Sequence, residues 1–128
     1  MTGIHIETGK IGEKEGTNYL KKLGYKLLKQ NFRCPLGEID CIAKDKDTLV
    51  FIEIKTRREP AYYGFPEESV DWRKQRKMTK VAQYYLKRVN RLDAPSRFDV
   101  LSISIRNDGH FDINHIQNAF EIESKENT

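Results

Sequence analysis

Three charged residues stand in two segments whose other residues are mainly apolar. In the stretch GEIDCIAKDKDTLVFIEIKT, residues 37–56, Asp40, Glu53 and Lys55 lie among Ile, Val, Leu and Phe. Strand positions of this kind disfavour charge, so these three side chains call for an explanation. Paired carboxylates bind hard divalent cations, and a neighbouring lysine can stabilise charge that develops on a phosphate. The combination therefore predicts chemistry on a phosphodiester.

The hydrophobic pattern predicts how the two segments pair. A four-residue loop at 45–48 gives one wholly apolar face, whose pairs are Ala43–Val50, Cys41–Ile52 and Ile39–Ile54. The same register sets Asp40 opposite Glu53 on the other face, with Lys55 two residues further along. Directly opposite residues have Cβ atoms about 4.5–5.5 Å apart. We expect a Mg²⁺ or Mn²⁺ ion between these two carboxylates, because like charges at that distance otherwise repel.

The same three charges also have an ordinary interpretation. They could form the solvated face of an amphipathic hairpin, where a Glu–Lys pair is common. Ile42 and Phe51 share that face, however, which indicates that it is at least partly covered. A buried carboxylate without a partner is costly, so the chemical interpretation is favoured.

A first helix is predicted over Gly12–Leu23. Gly16, Tyr19, Leu20 and Leu23 recur at helical spacing, and Gly24 follows as a C-terminal stop. Glu13 falls on the same stripe and is expected to point inward. It could then complete the acidic cluster from the neighbouring layer.

The remaining elements follow from periodicity and turn residues. A strand is predicted over 25–33, before the hairpin at 37–56, and the segment 78–89 has the clearest amphipathic helical pattern, with Ser69 or Asp71 as its cap. Two strands flank Asn107-Asp108-Gly109, a strong hairpin signal. The predicted order is helix, three strands, helix, two strands. We expect one domain over residues 1–128, with 1–9 and 122–128 as frayed tails.

Charge is distributed unevenly along the chain. The net charge is only +4, from 23 Lys and Arg against 19 Asp and Glu. Between residues 71 and 91 there is one acid, Asp71, and the bases are Arg73, Lys74, Arg76, Lys77, Lys80, Lys87, Arg88 and Arg91. These residues either bind phosphates or form an ordinary solvated helix face. We expect nucleic-acid contact through Arg57, Arg58, Arg73, Lys74 and Lys77.

Other signals exclude several classes of protein. No apolar stretch is long enough for a membrane span or a signal peptide, so we expect a soluble cytoplasmic protein without a membrane partner. Two cysteines are too few for a disulfide framework. His5, His110 and His115 show no ligand spacing, and we assign them no role. Tyr62 and Tyr63 could stack on bases or pack against the core.

The pattern D-x12-E-x-K after an N-terminal helix resembles the PD-(D/E)xK superfamily of restriction-endonuclease-like nucleases. The full set of motifs resembles the YraN-like bacterial family over roughly residues 10–105. That family is uncharacterised, is assigned to the same superfamily and is similar to archaeal Holliday junction resolvases. The motifs are GE at 12–13, YL at 19–20, GY at 24–25, GEID at 37–40, EIKTR at 53–57, Gly64 with PEE at 66–68, Lys74 and RFDV at 97–100.

The resemblance implies an endonuclease-like α/β (α+β) fold with a central mixed β-sheet flanked by helices. By position it implies that Asp40, Glu53 and Glu13 are metal ligands and that Lys55 is the catalytic lysine. The implied activity is Mg²⁺- or Mn²⁺-dependent cleavage of DNA, including branched DNA, and symmetric cutting of a four-way junction would need a homodimer. The alternative is a non-catalytic nucleic-acid-binding accessory with the same fold. Ile39 stands where the superfamily has a proline, and Gly16 where an alanine is usual.

Overall fold

The computed structural model describes the backbone of residues 2–59 and 70–121, and the side chains of residues 7–59 and 70–121. Within these ranges the elements follow the predicted order. They are α1 (Thr2–Lys22), β1 (Lys26–Cys34), β2 (Gly37–Asp45), β3 (Thr48–Arg58), α2 (Trp72–Arg88), β4 (Ser96–Ile105) and β5 (Phe111–Phe120). The strands form one five-stranded sheet in the order β1-β2-β3-β4-β5.

The sheet is mixed, as the family resemblance implied. β3 and β4 run parallel, whereas the other neighbouring strands are antiparallel. A parallel pair requires a crossover, and α2 lies within that connection. The β4–β5 hairpin turns between Arg106 and His110, at the predicted Asp-Gly signal. In the described part of the chain, no helix is long and apolar enough to cross a membrane.

The two helices cover opposite faces of the sheet. Outside an irregularity in β2 at Asp40, side chains alternate along the central strands, and the two sets belong to separate apolar clusters. Phe51, Phe98 and Ile42 pack with α2, whereas Val50, Ile52 and Cys41 pack on the side of α1. Both faces of β2 and β3 are therefore covered, which confirms that the face of Phe51 and Ile42 is not a solvated surface.

Helix α2 begins at the predicted aspartate. The Asp71 carboxylate accepts a hydrogen bond from the main-chain N–H of Lys74 at 3.0 Å, which caps the helix. The inward stripe of α2 is the predicted one except at its end, where Val89 is the exposed C-cap. Its buried residues are Met78, Val81, Ala82, Tyr85 and Leu86. Because the period of this stripe is clear, it also determines which lysines of α2 face the sheet.

Helix α1 begins at Thr2, ten residues before the predicted start at Gly12. The expectation of a frayed tail over 1–9 is thus replaced by helix from Thr2, while 122–128 lie outside the described residues. The helix approaches the sheet through small residues: a Cβ added to Gly12 would lie 1.8 Å from Oγ1 of Thr56. Small and polar residues such as Thr8 on the packed face give little apolar periodicity, which is why the first turns escape a pattern search.

The β2–β3 register is the predicted one where the strands pair. Cys41 lies opposite Ile52 and Ala43 opposite Val50. Asp45 and Thr48 also pair, so the turn itself has two residues, and the first of them, Lys46, has a φ of 55°. Pairing ends at Cys41–Ile52. The expected ladder pairs Asp40–Glu53 and Ile39–Ile54 therefore do not form, and this part of the prediction is wrong.

Candidate functional site

Strand β2 changes its facing at Asp40. Ile39 packs in the cluster on the side of α2 and Cys41 in the cluster on the side of α1, although residues two apart share a face in a regular strand. On the other side, β1 pairs through Gln30–Cys41 and then Phe32–Ile39. Between these pairs Asn31 adopts a φ of 52°, a conformation that asparagine tolerates well. This irregularity directs the Asp40 side chain toward β3.

The Asp40 carboxylate takes the place of a ladder partner. Its Oδ2 accepts a hydrogen bond from the main-chain N–H of Ile54 at 2.7 Å. This contact explains why the regular pairing of β2 with β3 ends one residue earlier, since the side chain now satisfies the donor that the strand would have satisfied. Asp40 therefore lies at the point where the ladder ends, between the layers of α1 and α2.

The electrostatics show that three predicted acids act on one another. Burial, the negative charge of Glu53 and a hydrogen bond with that residue together raise the pKa of Asp40 to about 7. The charge of Glu13 on α1 adds a smaller effect in the same direction, and the Ile54 N–H opposes the shift. Glu13 Oε1 accepts a long hydrogen bond from Asn31 Nδ2 at 3.4 Å. The carboxylates of Asp40 and Glu53 therefore repel one another when both are ionised, and a cation between them would relieve this repulsion.

Glu53 is buried and carries two lysine partners. It is only 4% exposed. Its Oε2 lies 3.0 Å from Nζ of Lys74 and 3.8 Å from Nζ of Lys55. Lys55 is on β3 with Glu53, whereas Lys74 reaches over from the first turns of α2.

The position of Lys74 was readable from the sequence. It precedes Met78 by four residues, so it lies one turn before Met78 on the same side of α2, the side that faces the sheet. We had expected this lysine to bind nucleic acid. In the structure its ammonium group pairs with a site carboxylate, and it therefore belongs to the site itself.

The donor set fits a particular kind of metal. Within residues 7–59 and 70–121, no group of three or more His, Cys, Asp or Glu side chains is arranged to hold a metal ion. Asp40 and Glu53 thus form a two-carboxylate site, and Glu13 contributes charge from nearby. Mg²⁺ is commonly bound by one or two carboxylates, with waters and substrate phosphates as further ligands. These residues fit such a cation, whereas a closed structural site would need a fuller set of protein ligands.

The other expected nucleic-acid residues lie in different surroundings. Nε of Arg58 donates a hydrogen bond to Oγ1 of Thr8 at 2.7 Å, which ties the end of β3 to α1. The Arg73 guanidinium lies 5.7 Å from the ring centre of Trp72. Lys77 is exposed on α2, and Arg57 is half-buried on β3. Tyr62 and Tyr63 lie outside the described residues.

Sequence reasoning missed a buried polar network around Asp99. Its carboxylate accepts hydrogen bonds from Nε of Arg97 at 3.0 Å and from the main-chain N–H of Asn118 at 3.0 Å. Nε2 of His115 lies 2.7 Å from Asp99 Oδ2, and its Nδ1 lies 3.2 Å from the hydroxyl of Tyr19. His115, to which we assigned no role from the sequence, thus contacts both Asp99 and Tyr19. The network links α1 to β4 and β5.

This network holds a charged carboxylate in a fully buried position. Burial alone would raise the pKa of Asp99, but the hydrogen bonds from His115 and Arg97 outweigh it, and the net pKa is lowered. Arg97 also contacts Asp45 at 3.1 Å and donates to the hydroxyl of Tyr25. The RFDV motif at 97–100 was the available signal, because an Arg and an Asp two residues apart on a strand point to the same side.

Comparisons with known proteins identify a family and a distant structural neighbour. The sequence model of the uncharacterised protein family UPF0102 matches residues 12–103. A UPF0102 protein of Thermodesulfovibrio yellowstonii is 48% identical over 115 residues, which is 90% of this chain and 96% of that protein. One of Caldicellulosiruptor saccharolyticus is 44% identical over 116 residues, covering 89% and 97%.

A third relative, a UPF0102 protein of Clostridium acetobutylicum, is 42% identical over 124 residues, covering 95% of this chain and all of that protein. Among solved structures, Pyrococcus furiosus SfsA in complex with Ca²⁺ aligns with a TM-score of 0.40 at 15% identity. That alignment covers 92% of this chain and 65% of the other.

Proposed function

This chain belongs to the uncharacterised protein family UPF0102, and we propose that it is a metal-dependent endonuclease that hydrolyses phosphodiester bonds in DNA. One observation carries the proposal. Asp40 lies close enough to Glu53 for a hydrogen bond, and burial together with this neighbouring carboxylate raises the pKa of Asp40 to about 7. Lys74 and Lys55 lie at 3.0 and 3.8 Å from Glu53. Acids in electrostatic contact beside lysines suit a cation and a phosphate.

Each residue of the candidate site has its own role in this proposal. Asp40 and Glu53 would hold Mg²⁺ or Mn²⁺, which when bound lowers the pKa of a water and neutralises phosphate charge. Lys55, which is about half exposed, stabilises the negative charge that develops on the phosphate under attack. Lys74 holds the Glu53 carboxylate in place, and Glu13 adds negative charge that favours cation binding.

The proposal is tested by cleavage of linear and branched DNA with Mg²⁺ or Mn²⁺. Wild type is expected to cut, and Asp40→Asn and Glu53→Gln to lose cutting, because each removes a cation ligand. Lys55→Ala is expected to lower the rate roughly 10²–10³-fold, as for other lost groups that stabilise transition-state charge. Asp112→Asn, an exposed acid on β5, is the matched control purified in the same way. Equal cutting by Asp40→Asn would refute the proposal.

A second candidate is a DNA-binding accessory protein that keeps the fold without turnover. The observation in its favour is that the acids already have protein partners: Asp40 accepts from Ile54 N–H and Glu53 pairs with Lys74. Such a site can be stable without a metal. Salt-dependent DNA binding that is unchanged in Glu53→Gln and Lys55→Ala, with no cleavage by wild type, would favour this candidate.

A further inference from the structure

A groove runs along α2, between the helix and the β1–β2 turn. It consists of two adjoining cavities of about 510 and 400 Å³ that share Leu36. The first is lined by Lys74 and Lys77 on the helix and by residues 33–38 of the turn. The second continues past Lys80 to Leu92. Because Lys74 also pairs with Glu53, this α2 groove begins at the candidate site.

A glycine brings the turn close to the helix. Gly37 has a φ of 145°, and a Cβ added to it would lie 3.2 Å from Cγ2 of Val81 and 3.5 Å from Cε of Lys77. A larger residue would push the turn away from α2, since this backbone conformation and this distance both favour glycine. The GEID motif therefore shapes one wall of the α2 groove as well as supplying Asp40.

The charges that line the α2 groove are almost all positive. They are Arg33, Lys74, Lys77, Lys80 and Lys87. Among the described lining residues the acid is Glu38, whose Oε2 lies 3.1 Å from Nε of Arg33. A row of lysines spaced along one helix matches the repeated phosphates of a polynucleotide backbone.

The groove also exposes apolar and aromatic surface. Leu36 is 46% exposed and Leu92 is 61% exposed, and Tyr84 lies between the lysines on α2. Duplex DNA presents its phosphates outward and keeps its base faces stacked. An unpaired strand presents phosphates and free base faces together, and lysines interleaved with an aromatic ring are the usual complement to it.

We propose that the α2 groove binds an unpaired strand of DNA and leads it to the acids of the candidate site. The assignment of DNA as the ligand rests on the proposed function, whereas the position of the groove and its lining do not. The proposal narrows the substrate class to DNA with a single-stranded arm, such as a flap, a fork or a branched junction with unpaired bases.

Binding of labelled oligothymidylate in EDTA, followed by fluorescence anisotropy over a salt series, tests this proposal on the full chain. Wild type is expected to bind it more tightly than a duplex of equal length. The double variant Lys77→Ala/Lys80→Ala is expected to bind about tenfold more weakly, and to reduce the slope of log K against log salt by about 1.4. Tyr84→Ala is expected to weaken binding about tenfold without changing the slope.

Lys21→Ala/Lys22→Ala is the matched control, because it removes the same charge from the exposed end of α1, on the other face of the sheet. Because Tyr84 also contacts Phe32, Leu36→Ser serves as a second apolar variant, and circular dichroism checks that each variant is folded. Equal binding of duplex, equal losses in the control, or unchanged binding in the groove variants would overturn the proposal. So would tighter binding of oligouridylate or of an acidic peptide with the same sensitivity to these variants.

These results are separable from failure of the proposed function. Binding is measured without a divalent metal, so a protein that never cuts DNA still supports the α2 groove if the groove variants lose oligothymidylate. A protein that cuts DNA but binds the oligonucleotide equally in all variants retains the proposed function and refutes the groove.

Discussion

Nζ of Lys74 on α2 lies 3.0 Å from Oε2 of Glu53 on β3, closer than the 3.8 Å of Lys55 on the same strand. Lys74→Ala is expected to lower the free energy of unfolding in EDTA by about 1 kcal/mol, because it removes the nearer partner of a buried carboxylate from a half-exposed position. Lys77→Ala, three residues further along α2 and outside this contact, is the control. Urea unfolding measures both.

The same variants test the link to metal. If a cation binds beside Glu53, saturating Mn²⁺ is expected to reduce the difference between Lys74→Ala and wild type. A double-mutant cycle with Glu53→Gln should show coupling between the two residues. Additive effects of Lys74→Ala and Glu53→Gln would show that the ion pair contributes nothing to stability.

Asp40 gives the metal-free protein a pH-dependent stability. Its pKa is raised from 3.8 to about 7 in the folded state, so between these values the folded chain binds more protons than the unfolded chain. This contribution is fully present below about pH 4 and is lost as the pH rises through about 7, on the order of 1 kcal/mol per pH unit. Asp40→Asn should therefore be more stable than wild type at pH 8 in EDTA, with a difference that shrinks toward pH 5.

Urea unfolding at four pH values between 5 and 8 measures this effect. Asp47→Asn, in the exposed β2–β3 turn, is the control and should follow wild type. An Asp40→Asn protein that is less stable than wild type at pH 8 would contradict the assignment of the raised pKa to Asp40.

Two glycines of α1 should respond in opposite directions to the same substitution. Gly12→Ala would bring a Cβ to 1.8 Å from Oγ1 and 2.6 Å from Cβ of Thr56, so the branched side chain cannot turn away from it. We expect a loss of about 1–3 kcal/mol. Gly9→Ala has no atom within 4 Å of the added Cβ, and should stabilise by about 0.5–1 kcal/mol. Thermal unfolding of the two variants side by side would disprove the close approach if both were stabilised.

The Asp99 network should carry stability that is lost in acid. The pKa of Asp99 is lowered, so its contribution is present above about pH 4 and disappears as the pH falls through the folded value. Asp99→Ala is expected to cost about 3–5 kcal/mol at pH 7, because Arg97 and His115 then lose a buried acceptor. In Asp99→Asn, the free energy of unfolding should therefore fall less steeply than in wild type as the pH is lowered below about 4.

An exposed pair provides the comparison. Asp112 lies 2.7 Å from Arg106 on the surface, so Asp112→Asn should change the unfolding free energy far less than Asp99→Asn. Urea unfolding between pH 3 and 7 makes the comparison. Similar losses in the two variants would mean that burial does not strengthen the Asp99 network.

Local patterns predicted the fold well because they repeat within one element. The stripe of α2 and the apolar pairs around Cys41–Ile52 fix helix phase and strand register from spacing alone. The start of α1 was missed because Gly12 and Thr8 pack through smallness and polarity, which carry no hydrophobic period. The end of the ladder at Asp40 was missed because it depends on a side chain that bonds to the backbone of another strand.

The candidate site was predicted in part for the same reason. Asp40, Glu53 and Lys55 lie on two adjacent strands, so strand geometry brought them together. Lys74 joins α2 to Glu53 on β3, 21 residues away, and the Asp99–His115 contact joins β4 to β5 beside a register shift between Phe98 and Val100. These contacts depend on how α2, β4 and β5 are placed relative to other elements, and the periodicity of a single segment does not determine that placement.

Asp40 has a structural role besides the proposed catalytic one, because it accepts the hydrogen bond from Ile54 N–H. A lineage that had given up hydrolysis would still be under selection to keep an acceptor there, since an unsatisfied main-chain donor between covered strands costs about 1–3 kcal/mol. Glu53 pairs with lysine side chains instead, so Glu53 and its lysines can be replaced together without leaving a main-chain group unsatisfied. Among relatives, drift at Glu53 and Lys55 is therefore a sharper sign of lost turnover than drift at Asp40.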